Sequence, residues 1–442
     1  MKRYEAYKPS GTAWFTSVPE PWNILKINAL FSQRKEKVSD KDFAPISVTK
    51  NGIMPQLETV AKTDDGDNRK KVCAGDFVIN SRSDRKSSCG ISQLEGSVSL
   101  INIVLKPRKE INGCYAHYLL RSQPFSEEFY RNGRGIVADL WTTRYSEMKN
   151  ILLPVPPRDE QDQIVRYLDW QVSKINRLIA AKRKQIELMK DNLKSAVAKL
   201  TTHGIGSHDM CRSEIYWLTE YPSTWHVTKL KYILKKHRRE VPPNVELLIC
   251  SNSGEVTKRG DGKLGLVAAS DDIYQGVKTG DLLIHGMDTW HGAIAISNFD
   301  GMCTPVVHVC TCREEKRFVA YYLKMMAYTK VFKAISNGVR QNTSDFRSWD
   351  KVGDLLICLP DISEQVAIAD ELDKLTDATK KGIACFERHI EKLVDLRTRL
   401  ISDVVTGQID VRGIEVPDYE HYDEAPENAT EESSDSDYDT EE

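Results

Sequence analysis

The stretch "PVPPRDEQDQIVRYLDW" at residues 154–170 returns in altered form as "CLPDISEQVAIADELDK" at residues 358–374. In both copies proline ends the preceding segment, Asp159 or Ser363 offers a helix cap, and an acidic residue occupies the first turn, where the helix dipole favours negative charge. The phrase therefore predicts that a helix begins twice in this chain, 204 residues apart.

Apolar residues recur at spacings of three and four after both copies of the phrase, as in "IVRYLDWQVSKINRLI" and "IADELDKLTDATKKGI". Such heptad seams need a partner to cover their apolar stripe. We expect the two seams to cover each other as an antiparallel coiled coil. About 40 residues at 1.5 Å per residue give a rod of about 60 Å.

The repetition extends well beyond this phrase. "WFTSVPEPWNILKI" (14–27) matches "WLTEYPSTWHVTKL" (217–230), and "VCAGDFVIN" (72–80) matches "VKTGDLLIH" (277–285), at offsets that stay between 203 and 205. A tandem duplication of about 200 residues follows, and it has to be recognised before any fold is assigned. It predicts a first globular module, a long helix, a second module, a second long helix and an acidic tail, at residues 1–157, 158–205, 206–361, 362–412 and 413–442.

The modules themselves contain short apolar runs broken by Gly, Asn, Asp and Pro, together with one predicted helical stretch per copy, "NGCYAHYLLRSQPFSEEFYRN" in the first and "RFVAYYLKMMAYTKVFKAIS" in the second. This sequence pattern is typical of short strands with helices packed against them. The predicted fold class is α+β: two similar globular domains separated by a long antiparallel two-helix coiled coil.

Charge is distributed unevenly along the 442 residues. Residues 414–442 hold 13 acidic residues and no Lys or Arg, whereas residues 1–413 hold 62 basic against 51 acidic residues, a net charge of +11. A basic body with an acidic tail favours a polyanionic partner, and an ordinary solvated surface with a solubility tail explains the same charges.

Several protein classes are disfavoured by composition. No apolar run reaches the length of about 18 residues that a membrane span needs, and the N-terminus lacks the apolar stretch of a secretory signal, so a cytoplasmic protein without membrane contact is expected. The ten cysteines form no CxxC pair. His308, Cys310 and Cys312 alternate as on one face of a strand, and we predict no metal site there.

Catalytic motifs are equally scarce. "GDGKLG" at 260–265 fits GxGxxG, but neither a strand before it nor a helix after it is predicted, so nucleotide or adenosylmethionine binding is not expected there. The sequence has no GxxxxGK[ST] loop, no HExxH and no Asn- or Asp-Pro-Pro-aromatic element. No catalytic residue is therefore predicted.

The ordered set of these features, twice over, resembles the specificity (S) subunit of type I restriction-modification enzymes across about residues 10–412. The set is Trp-x-x-x-x-Pro-x-x-Trp, a Gly-Asp strand, "RNGRGIVADLWTTRYSEM" or "NGVRQNTSDFRSWDKV", and a long helix, the second ending in "LISDVVTGQIDVR". The acidic tail lies outside this pattern.

The resemblance implies two target-recognition domains, each reading one half of a split sequence in double-stranded DNA. It further implies that the helices set the gap and dock two adenine-methylating modification subunits, and that restriction subunits with endonuclease and translocase activity join the complex. Cofactors then belong to the partners: S-adenosylmethionine to the methyltransferase, ATP and Mg to the restriction subunit, and none to this chain.

DNA contact needs Lys and Arg for phosphates, and Arg, Asn or Gln for base edges. The polar loops after the Gly-Asp strands differ in sequence between the copies, although the strands before them match. Two domains that read different half-sites require such a difference. The candidate residues are Arg82, Arg85 and Lys86 in the first copy and Trp290 and His291 in the second, with Arg131, Arg134 and Arg144 roughly matched by Arg340, Gln341 and Asn342, and Lys258 and Arg259 as further phosphate contacts.

Two other classes remain open from the sequence. A coiled-coil scaffold without a nucleic-acid role explains the helices but not the charge of +11. A stand-alone DNA methyltransferase or nuclease requires catalytic residues that no motif reveals.

Overall fold

The computed structural model describes residues 2–56, 66–82, 85–135, 141–259, 274–335 and 346–422. The chain divides into two compact units: unit 1 comprises Met1–Arg183 and Glu387–Glu442, and unit 2 comprises Lys184–Phe386. Each unit thus contains one globular body and a part of both long helices. The GxGxxG match at 260–265 lies outside the described residues.

Unit 1 is built from short strands and helices that end in one long helix. Its strands are β1 Tyr7–Pro9, β2 Ser17–Pro19, β3 Asn23–Lys26, β4 Phe31–Arg34, β5 Lys37–Val38, β6 Ile46–Thr49, β7 Gly52–Pro55, β8 Arg69–Val72, β9 Phe77–Asn80, β10 Cys89–Ile91, β11 Gly96–Val98, β12 Asn102–Pro107 and β13 Leu152–Val155. Its helices are α1 Ile27–Leu30, α2 Gly113–Arg121, α3 Gln123–Arg131, α4 Tyr145–Met148 and the first part of α5 Arg158–His203.

Unit 2 repeats this order. Its strands are β14 Met210–Arg212, β15 Glu220–Pro222, β16 His226–Lys229, β17 Leu234–His237, β18 Leu248–Cys250, β19 Val256–Lys258, β20 Gln275–Val277, β21 Leu282–His285, β22 Ile294–Ile296, β23 Gly301–Cys303, β24 Val307–Cys312 and β25 Leu356–Leu359. Its helices are α6 Leu230–Ile233, a 3-10 turn at Thr289–His291, α7 Lys316–Tyr328, α8 Val331–Ile335, α9 Trp349–Gly353 and the first part of α10 Ile362–Val405.

Each unit holds an antiparallel four-stranded sheet with the same connectivity. The strand order is β10-β9-β12-β4 in unit 1 and β22-β21-β24-β17 in unit 2. In unit 1 the strand residue Phe77 packs in a core with Tyr115 and Phe125, and in unit 2 Leu282 packs in the corresponding core with Phe318 and Tyr322. The predicted α+β modules and their duplication are confirmed.

The repeated Gly-Asp pair makes a tight turn that buries a charge. Asp76 is 2% exposed and receives two hydrogen bonds from Arg34, at 2.7 and 3.1 Å. Asp281 is 3% exposed and pairs with Arg239 in the same way. The glycine before each aspartate has a φ of +88° or +89°, which a side chain disfavours. The motif therefore fixes the start of β9 and of β21.

The Glu-Gln pair of the repeated phrase does more than begin a helix. The carboxylate of Glu160 accepts a hydrogen bond from the indole N–H of Trp22 at 3.0 Å, and Glu364 accepts one from Trp225 at 3.2 Å. The repeated tryptophan near the start of each module is thus tied to the start of its long helix. The phrase and the Trp-containing motif recur together because they are hydrogen-bond partners.

The glutamine of the pair ties the helix start to α2 or α7. The side-chain carbonyl of Gln161 accepts from the backbone N–H of Asn112 at 2.7 Å, and its amide donates to the carbonyl of Pro156 at 3.0 Å. Gln365 makes the same two bonds, to Glu315 and Pro360, at 3.1 and 2.9 Å. Each glutamine therefore satisfies buried backbone groups at a junction of three segments.

The predicted caps are wrong by one or two positions. Helix α5 begins at Arg158, directly after a proline, so Asp159 already lies in its first turn. Helix α10 begins at Ile362, and Asp361 supplies the cap by accepting a hydrogen bond from the backbone N–H of Glu364 at 2.9 Å. The hydroxyl of Ser363 donates to that carboxylate instead and lowers the pKa of Asp361.

The long helices pair antiparallel within each unit. In unit 1, Gln163 near the start of α5 donates to the carbonyl of Val411 beyond the end of α10, and Asn176 accepts from Arg397 at 2.6 Å. In unit 2, Gly204 lies against Glu364, and Met189 lies against Gly382. The predicted antiparallel coiled-coil pairing is confirmed in both units.

Two further expectations concern strand β24 and the membrane. His308, Cys310 and Cys312 do lie on one strand, where His308 is fully buried and its Nε2 is 2.7 Å from the carbonyl oxygen of Phe346. The alternation of these three residues therefore belongs to the packing of the sheet. Within the described ranges, no helix combines the length and the apolar character needed to cross a membrane.

Candidate nucleic-acid interface

The loop that leaves strand β9 in unit 1 is exposed and basic. Asn80, the last residue of β9, accepts a hydrogen bond from the backbone N–H of Arg82 at 3.0 Å and so fixes the first step of the loop. The side chains of Arg82, Arg85 and Lys86 are exposed. The strand thus holds the base of the loop rigidly while three cationic side chains face solvent.

The second arginine cluster of unit 1 is brought to the same place. Thr142 pairs with Arg134 on one side, through two backbone hydrogen bonds of 3.0 Å, and forms an antiparallel bridge to Arg82 on the other. Thr143 continues the contact, because its backbone N–H donates to the carbonyl of Ser81 at 2.9 Å. Two clusters that are about 50 residues apart in sequence therefore form one exposed cationic edge.

Aromatic side chains lie beneath this edge. The ammonium of Lys86 is 5.4 Å from the ring centre of Tyr130, which is the penultimate residue of α3. The rings of Tyr130 and Trp141 are tilted by 31° with centres 5.8 Å apart, and the indole N–H of Trp141 donates to the carbonyl of Tyr130 at 2.8 Å. Gly133 leaves the room that Trp141 occupies, because a Cβ there would collide with the indole ring. The loop after β9 is thus anchored on α3 by a cation–π contact.

The remaining candidates of this edge differ in their pairing. Arg131 forms an exposed ion pair with Glu128 at 2.8 Å, one helical turn away in α3. Arg144 is exposed and immediately precedes α4. The hydroxyl of Ser146 lowers the pKa of Glu147, with a smaller contribution from Arg134. Arg131 is thus paired within its own helix, whereas Arg82, Arg134 and Arg144 add exposed positive charge to the edge.

The corresponding loop of unit 2 leaves β21. His285, the last residue of β21, is largely buried, which lowers its pKa against the opposing effect of Asp288. The backbone N–H of Asp288 lies 3.1 Å from Nδ1 of His285 and donates to it. His285 thus fixes the base of its loop as Asn80 does in unit 1.

In the anchor of this second loop, the loop supplies the aromatic ring and the helix supplies the cation. Trp290 in the loop is half-buried, and the ammonium of Lys333 in α8 lies 5.9 Å from its ring centre. In unit 1 the loop supplies the cation and the helix supplies the ring, at Lys86 and Tyr130. The helix positions 130 and 333 are 203 residues apart, the offset of the repeat. Each loop is therefore held by one cation–aromatic contact, although no residue type is shared.

His291 stands exposed beside this anchor. Lys258 lies on β19, where it pairs with Glu246 at 2.5 Å and approaches the ring of Phe299, and Arg259 is half-buried directly after it. The described contacts do not join these two residues to the loop after β21. The candidates Arg340, Gln341 and Asn342 lie outside the described residues.

Sequence reasoning missed several of the groups just described. Tyr130, Trp141 and Lys333 received no role, because an anchor formed with a distant loop leaves no local pattern. The basic run "KKHRR" at 235–239 was also passed over, although its composition was a visible signal.

No protein-family model matches the sequence. Two proteins of Methanocaldococcus jannaschii do match almost end to end. The provisionally named type I restriction enzyme MjaX specificity subunit is 25% identical over 443 residues, covering 89% of this chain and 95% of that protein. The type I restriction enzyme MjaVIII specificity subunit is 24% identical over 429 residues, covering 90% of this chain and 95% of its own.

The fold has a counterpart among solved structures as well. A chain from a structure that describes complex assembly and conformational transition of the type I R-M system superposes with a TM-score of 0.64. It is 13% identical and covers 89% of this chain and 99% of its own length. The duplicated α+β units and the paired long helices agree with this fold match, and the near-complete coverage of both relatives confirms the predicted similarity of the chain to the specificity subunits of type I restriction enzymes.

Proposed function

We propose that the chain is the DNA sequence-recognition subunit of a type I restriction-modification complex, and that the exposed edge of each unit reads one half of a bipartite target. The observation that carries this proposal is the pair of anchored loops. Their frames are equivalent in the two units, whereas their exposed side chains differ. Equivalent frames with different side chains are what two readers of different half-sites need.

The chemistry of the edge in unit 1 suits duplex DNA. Arg82 and Arg134 lie on either side of Thr142, so two guanidinium groups project from neighbouring backbone segments. Arginine is the side chain that most often contacts guanine in the major groove, through its bidentate geometry. Lys86 over Tyr130 holds a positive charge beside them, suited to a phosphate.

Unit 2 would read its half-site with a different set of groups. His291 is exposed beside the anchor formed by Trp290 and Lys333. Arg340, Gln341 and Asn342 follow α8 in the sequence and are proposed as base contacts, because arginine suits guanine and the two amides suit adenine. Lys258 and Arg259 are proposed as weaker phosphate contacts, since Lys258 already has a carboxylate partner.

The chain supplies specificity, and its partners supply the chemistry. Two modification subunits would dock on the paired helices and bind S-adenosylmethionine for methyl transfer to adenine. Restriction subunits would add ATP- and Mg-dependent translocation and cleavage. The isolated chain should neither methylate nor cut DNA.

Selection of binding sites from a randomised duplex library tests this function. The complex of the chain with its modification subunit should select a bipartite sequence. Arg82→Gln with Arg85→Gln should alter the selected bases in one half only, because unit 2 is unchanged. Each base-edge contact that is lost should cost about 1–3 kcal/mol of discrimination at its position.

A matched control is Lys41→Gln with Lys26→Gln, two exposed lysines of unit 1 outside the loop. This variant removes the same number of charges and should leave the selected sequence intact. Equal loss of selectivity in both halves from the Arg82 and Arg85 changes would contradict independent reading by the two units. A coiled-coil scaffold without a nucleic-acid role would select no sequence at all.

A further inference from the structure

Unit 2 contains an open basic groove along strand β17. The groove has a volume of about 650 Å³ and lies between this strand and the side chain of Trp349. Strand β17 is an edge strand of its sheet, so one side of it faces no other strand. The cations that line the groove are Lys231, Lys235, Lys236, Arg238 and Arg313.

Most of this charge is not neutralised locally. Lys231 pairs with Asp354 at 2.9 Å. Lys235, Lys236, Arg238 and Arg313 form no ion pair within the part of the chain that the structure describes. Burial, reinforced by Arg239 and Lys235, lowers the pKa of His237 in the same strand. Four cations concentrated along one groove create a site that attracts an extended anion.

The corresponding strand of unit 1 carries less of this charge. The two strands are matched in register, because Arg108 donates to the carbonyl of Leu30 just as Arg313 donates to that of Ile233. At this offset of 203, positions 231, 235, 236 and 238 correspond to Asn28, Ser32, Gln33 and Lys35. Together with Arg313 and its counterpart Arg108, five cations in unit 2 thus stand where unit 1 has two. The excess of positive charge along this groove belongs to unit 2 and not to the shared frame.

The groove leads toward the proposed reading loop. Strands β17 and β21 are both antiparallel to β24, so they run in the same direction and end at the same side of the sheet. Arg238 follows the end of β17, and the loop with Trp290 follows the end of β21. Trp349 on the groove wall packs against His308 of β24, with ring centres 5.6 Å apart. Lys235 and Arg238 therefore lie on a path that ends beside that loop.

We propose that this groove binds the phosphate backbone of duplex DNA next to the half-site of unit 2, and that it contributes more sequence-independent affinity than the corresponding strand β4 of unit 1. The proposal rests on the proposed function and adds to it that the groove contacts the phosphate backbone while the loop contacts bases. Alternate residues of a strand lie on the same face about 6.6 Å apart, close to the axial rise of about 6.8 Å for two phosphates along one DNA strand. Cations at several positions of an edge strand can thus contact several phosphates.

The test is the salt dependence of DNA binding by the complex of the chain with its modification subunit. Each lost phosphate contact reduces the slope of log K against log salt by about 0.9. The variant Lys235→Gln, Lys236→Gln, Arg238→Gln should therefore lower that slope by about 3 and leave the selected sequence unchanged. Between 50 and 200 mM salt, the loss of affinity should shrink by about 40-fold relative to the unaltered chain.

A control with Lys8→Gln, Lys26→Gln and Lys41→Gln removes three charges from unit 1, and its slope should change by less than 1. An unchanged slope in the groove variant would overturn the proposal and leave an acidic peptide, such as the chain's own tail, as the ligand of the groove. An equal drop in the control would also overturn it, because a general charge effect would then explain the result. Failure of the unaltered complex to select any DNA sequence would instead overturn the proposed function.

Discussion

Lengthening both long helices by one heptad should lengthen the gap between the half-sites. The sites for insertion follow from the packing in unit 2, where Gly382 of α10 lies so close to Met189 of α5 that a Cβ would meet the methionine methyl group. Seven residues inserted after Met189 and seven before Gly382 therefore add one matched layer. Each insertion leaves the sequences of both modules unchanged, and a seven-residue repeat keeps the apolar seam in register.

The magnitude follows from helix geometry. Seven residues at 1.5 Å add about 10.5 Å, which corresponds to about three base pairs at 3.4 Å each. Three base pairs also rotate the second half-site by about 100°, since a turn takes 10 to 10.5 base pairs. The DNA then has to twist or bend, at a cost of about 1–6 kcal/mol by elastic estimates. We therefore expect weaker binding, a preferred spacer two or three base pairs longer and unchanged half-site sequences.

The assay is site selection from a duplex library in which the spacer length varies, with the chain in complex with its modification subunit. Insertion into α5 alone serves as the control, because it puts the two seams out of register and should impair folding or binding at every spacer length. A folded double-insertion variant that retained the original spacer would refute the role of the helices as the ruler.

Two further predictions concern stability and the tail. The hydroxyl of Tyr4 donates to Glu160, so Tyr4→Phe should lower the free energy of unfolding by about 1–3 kcal/mol in denaturant titrations, whereas the exposed Tyr216→Phe should leave it unchanged; equal values for both variants would contradict the buried role of Glu160. Removal of residues 423–442 takes away ten acidic residues and changes the net charge from −2 to +8, so non-specific DNA binding should tighten at low salt in titrations of the isolated chain; unchanged affinity would make the tail irrelevant to binding.

The truncation point in that experiment comes from the structure. The residues before the cut are packed on unit 1: Gln163 donates to the carbonyl of Ile414 at 2.7 Å, and Arg177 pairs with Glu420 at 2.7 Å. The sequence marked the whole stretch from 414 onward as an acidic tail, because charge alone does not distinguish a docked segment from a free one. Cutting after Tyr422 preserves these contacts and removes only acidic charge.

The duplication and the long helices could be predicted from the sequence, because repeated motifs reveal the first and the periodic spacing of apolar residues reveals the second. The seam predicted from Ile164, Leu168 and Ile175 is buried in unit 1, and Ile368 and Leu372 are buried in unit 2. These positions follow from heptad spacing alone.

Contacts between residues that are distant in the sequence could not be predicted. Glu160 looked like a helix-start residue, and its bond to Trp22 joins positions 138 residues apart. The joining of Arg82 and Arg134 through Thr142 likewise depends on backbone pairing that no local pattern encodes. The charge of Lys235 and Arg238 was visible, but the absence of an ion pair to either of them among the described residues depends on the fold.

The central claim is that one chain reads two half-sites through two different units. Mapping methylated adenines in the DNA of cells that carry this chain with its modification subunit tests it most directly, with cells that lack only this chain as the control. We expect one methylated sequence made of two different half-sites with a fixed, non-specific spacer, present only when the chain is expressed. Methylation at a single uninterrupted sequence, or an unchanged pattern without the chain, would contradict it.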